Sequence, residues 1–356
     1  MKKLHLKDLK ERVRVDDSFL VAKKETGVSK AGKPYLNLKF MDRTGEVEAR
    51  VWDDAEAIGR GFEKGDVARV RGHVVSYQGK LQLNVAGVTA LSNGEFNMRD
   101  YLPATERDPE EMIKELDGVI SAVGDKHIKG LLTAVFKDSE LRGLFMTAPA
   151  AKAMHHPRLG GLIEHVLSLC KLGEFVSSHY RQLNRDLLTA GLILHDIGKI
   201  YELSYDGPFD YTDEGRLIGH ITMGVEMVEA KIKEVPDFPR ETSMLLKHML
   251  LSHHGYLDFG SPKRPKTLEA TALYYLDDLD AKMDSISSLI EKEGGRGNWT
   301  EFHRLYERFI YKGAPGSPGA EALGEKEDRV EKGKEGKGEK GKVGKKEPDL
   351  FGKDGG

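Results

Sequence analysis

The sequence predicts a multidomain protein: an all-β barrel, then an all-α helical bundle, then a disordered tail. Three observations lead there. Residues 1–92 alternate apolar and polar in short runs bounded by turn residues, as in Tyr35-Leu-Asn-Leu-Lys-Phe40. From about residue 111 the apolar residues recur at helical spacing, as in Met112, Leu116, Val119 and Ile120. Beyond about 312 apolar residues almost vanish, and the last 44 residues hold 12 glycines with ten basic and ten acidic side chains. The expected divisions are 1–92, a linker over 93–110 marked by Asn93-Gly94, Pro103 and Pro109, a helical module over 111–312, and a tail over 313–356.

In the first module, Ser18–Lys24 is a short strand. Tyr35–Phe40 is a second, Asp42-Arg-Thr-Gly45 a turn, and Glu46–Trp52 a third strand. Asp53–Phe62 reads as a short helix ended by Glu63-Lys-Gly-Asp66. Val67–Tyr77 and Leu81–Leu91 form a hairpin around Gln78-Gly79-Lys80. Five strands with a helix between the third and fourth is the pattern of an OB-fold barrel. That fold binds single strands by stacking bases on aromatics and tracking the backbone with basic residues. The candidates are Lys33, Tyr35, Lys39, Arg50 and Tyr77, with Lys23, Lys24 and Lys30 in a loop running to Lys33. Trp52 is expected in the barrel core.

Composition bounds the rest. The net charge of −3 divides unevenly: residues 1–92 carry 18 Lys and Arg against 13 Asp and Glu, whereas 93–312 carry 27 against 35. A basic module joined to an acidic one suggests that the first meets a polyanion and the second gathers cations. No stretch of eighteen apolar residues exists, so no membrane span is expected. MKKLHLKDLKERVRVDD has no apolar core, so it is not a secretory signal. One cysteine, Cys170, excludes internal disulfides and fits the cytoplasm; it is expected to be a buried small hydrophobe.

The helical module continues through Leu131–Phe136, Leu162–Phe175, Leu187–Leu194, Ile221–Val235, Glu241–Ser252 and Leu268–Ile290. Its most informative stretch is Leu194-His195-Asp196-Ile197-Gly198-Lys199, an imidazole and a carboxylate side by side at the end of an apolar run. His165 precedes it; His220, His253, His254 and Asp277 follow. Imidazoles and carboxylates together suit Mn²⁺, Fe²⁺, Co²⁺ or Zn²⁺, and facing helices of a bundle are a standard frame for such a site. Asp277 and Asp280, three apart, share a helix face, Asp277 as ligand. Asp278 points elsewhere and is expected to be solvated. Lys199 lies close enough to His195 to meet a phosphate oxygen.

The order His…His-Asp…Asp resembles the HD superfamily of metal-dependent phosphohydrolases. His156-Pro-Arg-Leu-Gly-Gly-Leu-Ile-Glu-His165, Leu194–Lys199, Tyr211-Thr-Asp-Glu-Gly215, Gly219-His-Ile221, Ser252-His-His-Gly255 and Leu276-Asp-Asp-Leu-Asp-Ala-Lys282 resemble, more narrowly, the bacterial YhaM-type 3′→5′ exoribonucleases. That family joins an OB-fold to an HD domain, so the likeness spans roughly residues 1–312. It implies metal ligation by His165, His195, Asp196, His220, His253, His254 and Asp277, substrate contact by His156, and for Asp280 either support of a ligand from behind or contact with substrate. It also implies one or two divalent ions per HD domain, Mn²⁺ foremost, with Asp196 shared between them. The resemblance further implies that two such ions, about 3.5–4 Å apart, would activate a water for in-line attack, that Lys199 would steady the phosphoryl charge, and that nucleoside 5′-monophosphates would leave the 3′ end of single-stranded RNA, or of single-stranded DNA.

Other readings stay open: an HD phosphohydrolase of nucleotides or cyclic dinucleotides, and a non-catalytic single-strand-binding replication-accessory protein. His254-Gly-Tyr-Leu lacks the Gly-Tyr-Pro of cyclic-dinucleotide enzymes. In the tail, Asp349-Leu350-Phe351 resembles the end of bacterial sliding-clamp-binding peptides, with Glu347 where glutamine is usual. The sequence leaves homo-oligomerisation open, and also the choice between RNA and DNA, which turns on contacts to the 2′-hydroxyl.

Overall fold

Strand alternation decides the first module, and the computed structural model, which describes residues 3–92, 94–293 and 297–313, closes it into a barrel. The strands are β1 (Arg14–Val28), β2 (Pro34–Asp42), β3 (Gly45–Val51), β4 (Val67–Tyr77) and β5 (Lys80–Ala90), ordered β1-β2-β3-β5-β4. Every pairing is antiparallel except β3 with β5, where Glu48 meets Gln82 and Arg50 meets Asn84. A short helix, α1 (Ala55–Gly59), sits between β3 and β4 as expected. In β2 the even residues Leu36, Leu38 and Phe40 fill the barrel with Phe19, Ala49, Val70 and Leu83. The odd residues Tyr35, Asn37 and Lys39 therefore share the outer face.

Two expectations about the barrel are corrected. β1 is fifteen residues long, so Lys23 and Lys24 stand in a strand rather than a loop. It pairs β4 with its first half and β2 with its second, bending at a bulge between Val21 and Lys23. Its polar second half lacks a strand's clean alternation because a strand at a barrel bend need not keep it. Trp52 is 47% exposed and stacks on Tyr35, ring centroids 5.0 Å apart.

Residues 94–108 run from barrel to bundle as a packed wedge. Tyr101 and Leu102 are buried with Leu20, Val67 and Leu159, and the Tyr101 and Ser18 hydroxyls lie 2.7 Å apart. The bundle holds α2 (Pro109–Ser121), α3 (Lys126–Lys137), α4 (Ser139–Thr147), α5 (Gly161–His179), α6 (Arg185–Leu194), α9 (His220–Ile232), α10 (Arg240–Ser252) and α11 (Leu268–Lys292). Between α6 and α9 lie α7 (Lys199–Glu202), a small hairpin of β6 (Leu203–Ser204) and β7 (Asp210–Tyr211), and α8 (Asp213–Leu217). Helix starts follow side-chain capping: Asp108, Asp125, Asp138, Asn184 and Thr267 each accept a backbone N–H of the first turn. Asp138 ends α3 and caps α4, a helix the apolar pattern did not reveal.

The core gathers Met112, Leu116, Leu131, Leu162, Val166, Leu188, Ile193, Leu250 and Leu273, with Cys170 buried at its edge. α5, α6, α10 and α11 meet there, and the ends of α6, α9 and α10 point to one place. Among the described residues no helix is long and apolar enough to cross a membrane. The tail from 314, with its expected disorder and the Glu347–Phe351 cluster, lies outside the described residues.

Candidate metal centre and nucleic-acid interface

His195 and His253 are the residues at which α6 and α10 end, where helix carbonyls lack partners. Each ring turns back to use one: His195 Nδ1 donates to Leu192 O at 3.0 Å, and His253 Nδ1 to Leu250 O at 2.7 Å. Three more rings are held the same way. His254 Nδ1 donates to Phe259 O at 2.9 Å, His220 Nδ1 to Glu202 Oε1 at 2.8 Å, and His165 Nδ1 to Asp280 Oδ2 at 2.7 Å. In all five the Nδ1 side faces the scaffold, leaving Nε2 toward the interior, as in histidines that ligate metals.

Those nitrogens converge on two carboxylates. Asp277 Oδ1 lies 3.1 Å from His165 Nε2 and 3.7 Å from His195 Nε2. Asp196 divides its oxygens: Oδ1 is 3.5 Å from both His220 Nε2 and His253 Nε2, while Oδ2 is 3.2 Å from His195 Nε2 and 2.6 Å from Lys199 Nζ. Two donor groups result, His165–His195–Asp277 and Asp196–His220–His253–His254, each compact enough for one ion. Asp196 stands between them.

Whether these residues fit a cation can be judged from the atoms left over. His165 Nε2, His195 Nε2, His220 Nε2, His253 Nε2, Asp196 Oδ1 and both oxygens of Asp277 are buried and make no well-aligned hydrogen bond among the described residues, facing only one another. Each such atom costs about 1–3 kcal/mol unless something satisfies it. Seven in one volume, imidazole nitrogens facing carboxylate oxygens, is the donor set of a divalent metal. His220 is the most exposed of these rings, its side chain 12% accessible while those of His165, His195 and His253 are sealed, so the site opens past the start of α9.

Electrostatics agree with a cation-holding site. Burial opposes ionisation of Asp196, yet Lys199 and His195 hold its carboxyl well below the usual carboxylate range. Asp277 is also lowered against its burial, by His195 and His165. Burial would depress His165, but Asp277 and Asp280 overcome it and push the ring up to about 9. Lys199, buried, stays charged because Asp196 outweighs desolvation.

Gly198 explains the spacing of the His-Asp-Ile-Gly-Lys element. A Cβ there would lie 2.1 Å from His220 O and 2.9 Å from Gly224 N, so only glycine lets α7 close against α9.

His156, expected to touch substrate, lies instead behind His165, and Asp280 takes the first of its two expected places, supporting that ring from behind. Both are buried, His156 Nε2 sits 3.1 Å from Asp280 Oδ2, and Ser168 also donates to Asp280. Asp284 accepts His156 N at 2.6 Å and Arg158 Nη2 at 2.8 Å, and Arg158 Nη2 also donates to His156 Nδ1 at 2.8 Å. Asp278 is not freely solvated: it accepts from Lys282 at 2.8 Å, and its side chain is 15% exposed. Four further residues join the site without having stood out in the chain: Glu202, Asp284, Arg158 and the buried His155, whose ring is 5.9 Å from that of His165. Asp284 carried a signal, seven residues beyond Asp277 and so on the same helix face; Glu202 carried none.

On the barrel, the exposed Trp52 stacks on the half-buried Tyr35, and Arg50 bonds Asn37 and Ala49 O beside them. Tyr77, 61% exposed, lines a groove of about 560 Å³ with Arg50, Lys80 and Gln82. The basic candidates are partly neutralised: Lys39 pairs with Glu46 at 2.9 Å, and Arg50 lies 3.4 Å from Glu48. Lys33 is exposed in the β1–β2 turn.

Known proteins bear on both modules. The HD domain family matches residues 162–282, and an OB-fold nucleic acid binding domain family matches residues 20–91. The 3′-5′ exoribonuclease YhaM of Geobacillus sp. (strain WCH70) is 36% identical over 301 residues, 84% of this chain and 92% of that protein. The YhaM of Bacillus subtilis (strain 168) is 35% identical over 84% of this chain and 95% of its own length. The second OB-fold domain of replication protein A from Methanococcus maripaludis aligns with 26% of this chain and 98% of that domain, at 19% identity and TM-score 0.22. With an OB-fold nucleic-acid-binding module joined to a divalent-metal HD module, and with that likeness running the length of both, the chain belongs to the YhaM family of 3′-5′ exoribonucleases.

Proposed function

We propose that this chain is a metal-dependent 3′→5′ exonuclease of single-stranded RNA, releasing nucleoside 5′-monophosphates. The observation that carries the reading is the set of seven buried ligand atoms around Asp196 and Asp277 that face one another without a well-aligned hydrogen bond, in one chain with a single-strand-binding barrel. His165, His195 and Asp277 would hold one ion, and His220, His253 and His254 another, with Asp196 shared. Mn²⁺ is the ion we favour, ahead of Co²⁺, Fe²⁺ or Zn²⁺. Bound divalent ions supply Lewis-acid stabilisation of phosphoryl oxygens and lower the pKa of water.

The chain's own residues do the rest. Glu202 and Asp280 fix the rings of His220 and His165, so the donors are arranged before substrate arrives. Lys199 keeps its proton beside Asp196 and is placed to offset charge growing on the phosphoryl group. Tyr35, Trp52, Tyr77, Lys33, Lys39 and Arg50 are the barrel residues we assign to the upstream strand, by stacking and backbone contact. A cytoplasmic setting suits the substrate. Homo-oligomerisation remains part of the reading, as does clamp binding through Glu347–Phe351.

The test uses a 5′-labelled RNA 20-mer and the matching DNA, with metal-stripped protein, then with Mn²⁺, beside a His195→Ala/Asp196→Ala control. A ladder shortening from the 3′ end, dependent on Mn²⁺ and absent from the control, is expected, faster on RNA. Intact RNA with every metal tried rejects the reading, and hydrolysis of free nucleotides alone would replace it with a small-substrate phosphohydrolase.

A further inference from the structure

α9 begins at the metal centre and α10 ends there, since the His220 and His253 rings are 5.7 Å apart. The two helices are therefore antiparallel, and the seam between them leads away from the site. Along that seam lies a groove of about 670 Å³, lined by Val225 of α9, by Arg240, Met244, Lys247 and Leu251 of α10, and by Lys263 and Lys266. The segment after His254 runs back beside α10: Lys263 N donates to Leu251 O at 3.2 Å, and Lys266 N to His248 Nε2 at 3.0 Å. These contacts put the cations in sequence. Lys263 stands at the level of Leu251, two residues from His253; Lys266 follows at His248, then Lys247, then Arg240. From Leu251 to Arg240 the helix rises about 16 Å.

A row of cations is unexpected on this module, whose residues 93–312 carry eight more acids than bases. Arg240, Lys263 and Lys266 are exposed and take part in no ion pair among the described residues. Lys247 pairs with Glu229 at 2.6 Å. Val225, Met244 and Leu251 give the groove an apolar floor, Met244 being 59% exposed. Four cations in a row, three of them in no ion pair among the described residues, over an apolar floor suit a chain with regularly spaced negative charge and flat apolar groups.

We propose that this α9–α10 groove is a second strand-binding track, holding the phosphates of the substrate just upstream of the nucleotide being removed. The proposal rests on the exoribonuclease reading and deepens it. It assigns the catalytic module its own grip on the strand, separate from the barrel. Charge complementarity selects the occupant, and the approach of the row, at Lys263 and Leu251, to the helix end that carries His253 favours the substrate strand over an unrelated polyanion.

The test compares the full-length protein with Lys263→Ala/Lys266→Ala, Arg240→Ala/Lys247→Ala and the charge-conserving Lys263→Arg/Lys266→Arg. Binding of a fluorescent single-stranded 20-nucleotide RNA is measured in EDTA, where no trimming occurs, from low to high salt. Each alanine pair is expected to flatten the slope of log K against log salt by about 1.4, or roughly 0.7 per lost phosphate contact. It should also raise Kd about tenfold near 0.1 M salt, while the arginine pair stays near wild type. Hydrolysis of the p-nitrophenyl ester of thymidine 5′-phosphate with Mn²⁺, too short to reach the groove, should be unchanged in all variants. Unchanged Kd and salt slope in both alanine pairs would overturn the proposal, as would loss of binding to an acidic peptide with RNA binding intact. If wild type neither trims RNA nor cleaves the ester, the exoribonuclease reading fails, while the binding arm still reports on the groove.

Discussion

Asp280 accepts the Nδ1 proton of His165 at 2.7 Å from behind, while the same ring presents Nε2 to Asp277 at 3.1 Å. The imidazole is thereby clamped between two carboxylates three residues apart on α11, one orienting it and one sharing its donor volume. Asp280→Asn keeps the shape but removes the charge. Removing such an orienting partner typically costs about 10–100-fold in metal affinity. The variant should fold, need more Mn²⁺ for half-maximal activity, and recover much of its turnover at saturating metal. A chelator-competition titration beside an activity titration reads both; unchanged Mn²⁺ dependence contradicts the assignment.

Gly198→Ala places a methyl where His220 O stands, 2.1 Å from the ideal Cβ position. The obstacle is backbone, so α7 or α9 must move, and either shift misplaces Lys199 or His220. Activity should fall by at least a hundredfold with a lower Tm, and calorimetry beside a turnover assay checks it. A variant of full activity would mean that the α7–α9 contact does not fix the site.

Chelation should destabilise the helical module. An ion that binds only the folded state contributes about 2.7 kcal/mol at a hundred times its Kd. Adding Mn²⁺ to stripped protein should therefore raise Tm progressively with concentration, and the shift should be lost in His195→Ala/Asp196→Ala. Equal melting curves with and without Mn²⁺ would contradict a folded-state site.

Much of this was legible in the chain. Half-buried strands alternate, so β2 through β5 could be read directly, and the seven ligand candidates stood out because imidazoles and carboxylates rarely cluster at the ends of apolar runs. What the sequence hid depends on neighbours distant along the chain. Trp52 is exposed because Tyr35 supports it from the adjacent strand. β1 reaches Val28 because β2 pairs its polar second half. His156 and Asp280 lie behind His165 because Arg158 and Asp284 draw them there, and no local pattern announces that network.

The half-buried Tyr35 and the exposed Trp52, stacked on it, are the pair we assign to base stacking. Trp52→Ala should weaken binding of single-stranded RNA by about 1–3 kcal/mol for the base that stacks there, leaving turnover of a nucleoside phosphate ester intact. Fluorescence of a Trp299→Phe protein, which retains Trp52 alone of the two tryptophans, should be quenched by added strand. No quenching at saturating strand would remove Trp52 from the interface.

Cys170 reports on the bundle core. Burial pushes its thiol up to about 12, so almost no thiolate is present at neutral pH. Ellman's reagent should react with native protein only at the rate of opening, and at once in denaturant. Fast labelling of native protein would mean that α5 packs less tightly than described.

The most direct test of the central claim is metal content measured beside trimming of single-stranded RNA. Protein loaded with Mn²⁺ and freed of excess should carry two ions per chain by mass spectrometry. His253→Ala should lose one, Asp196→Ala should lose the site, and both should leave RNA intact. Undiminished trimming by metal-free protein, or by Asp196→Ala, would contradict the account.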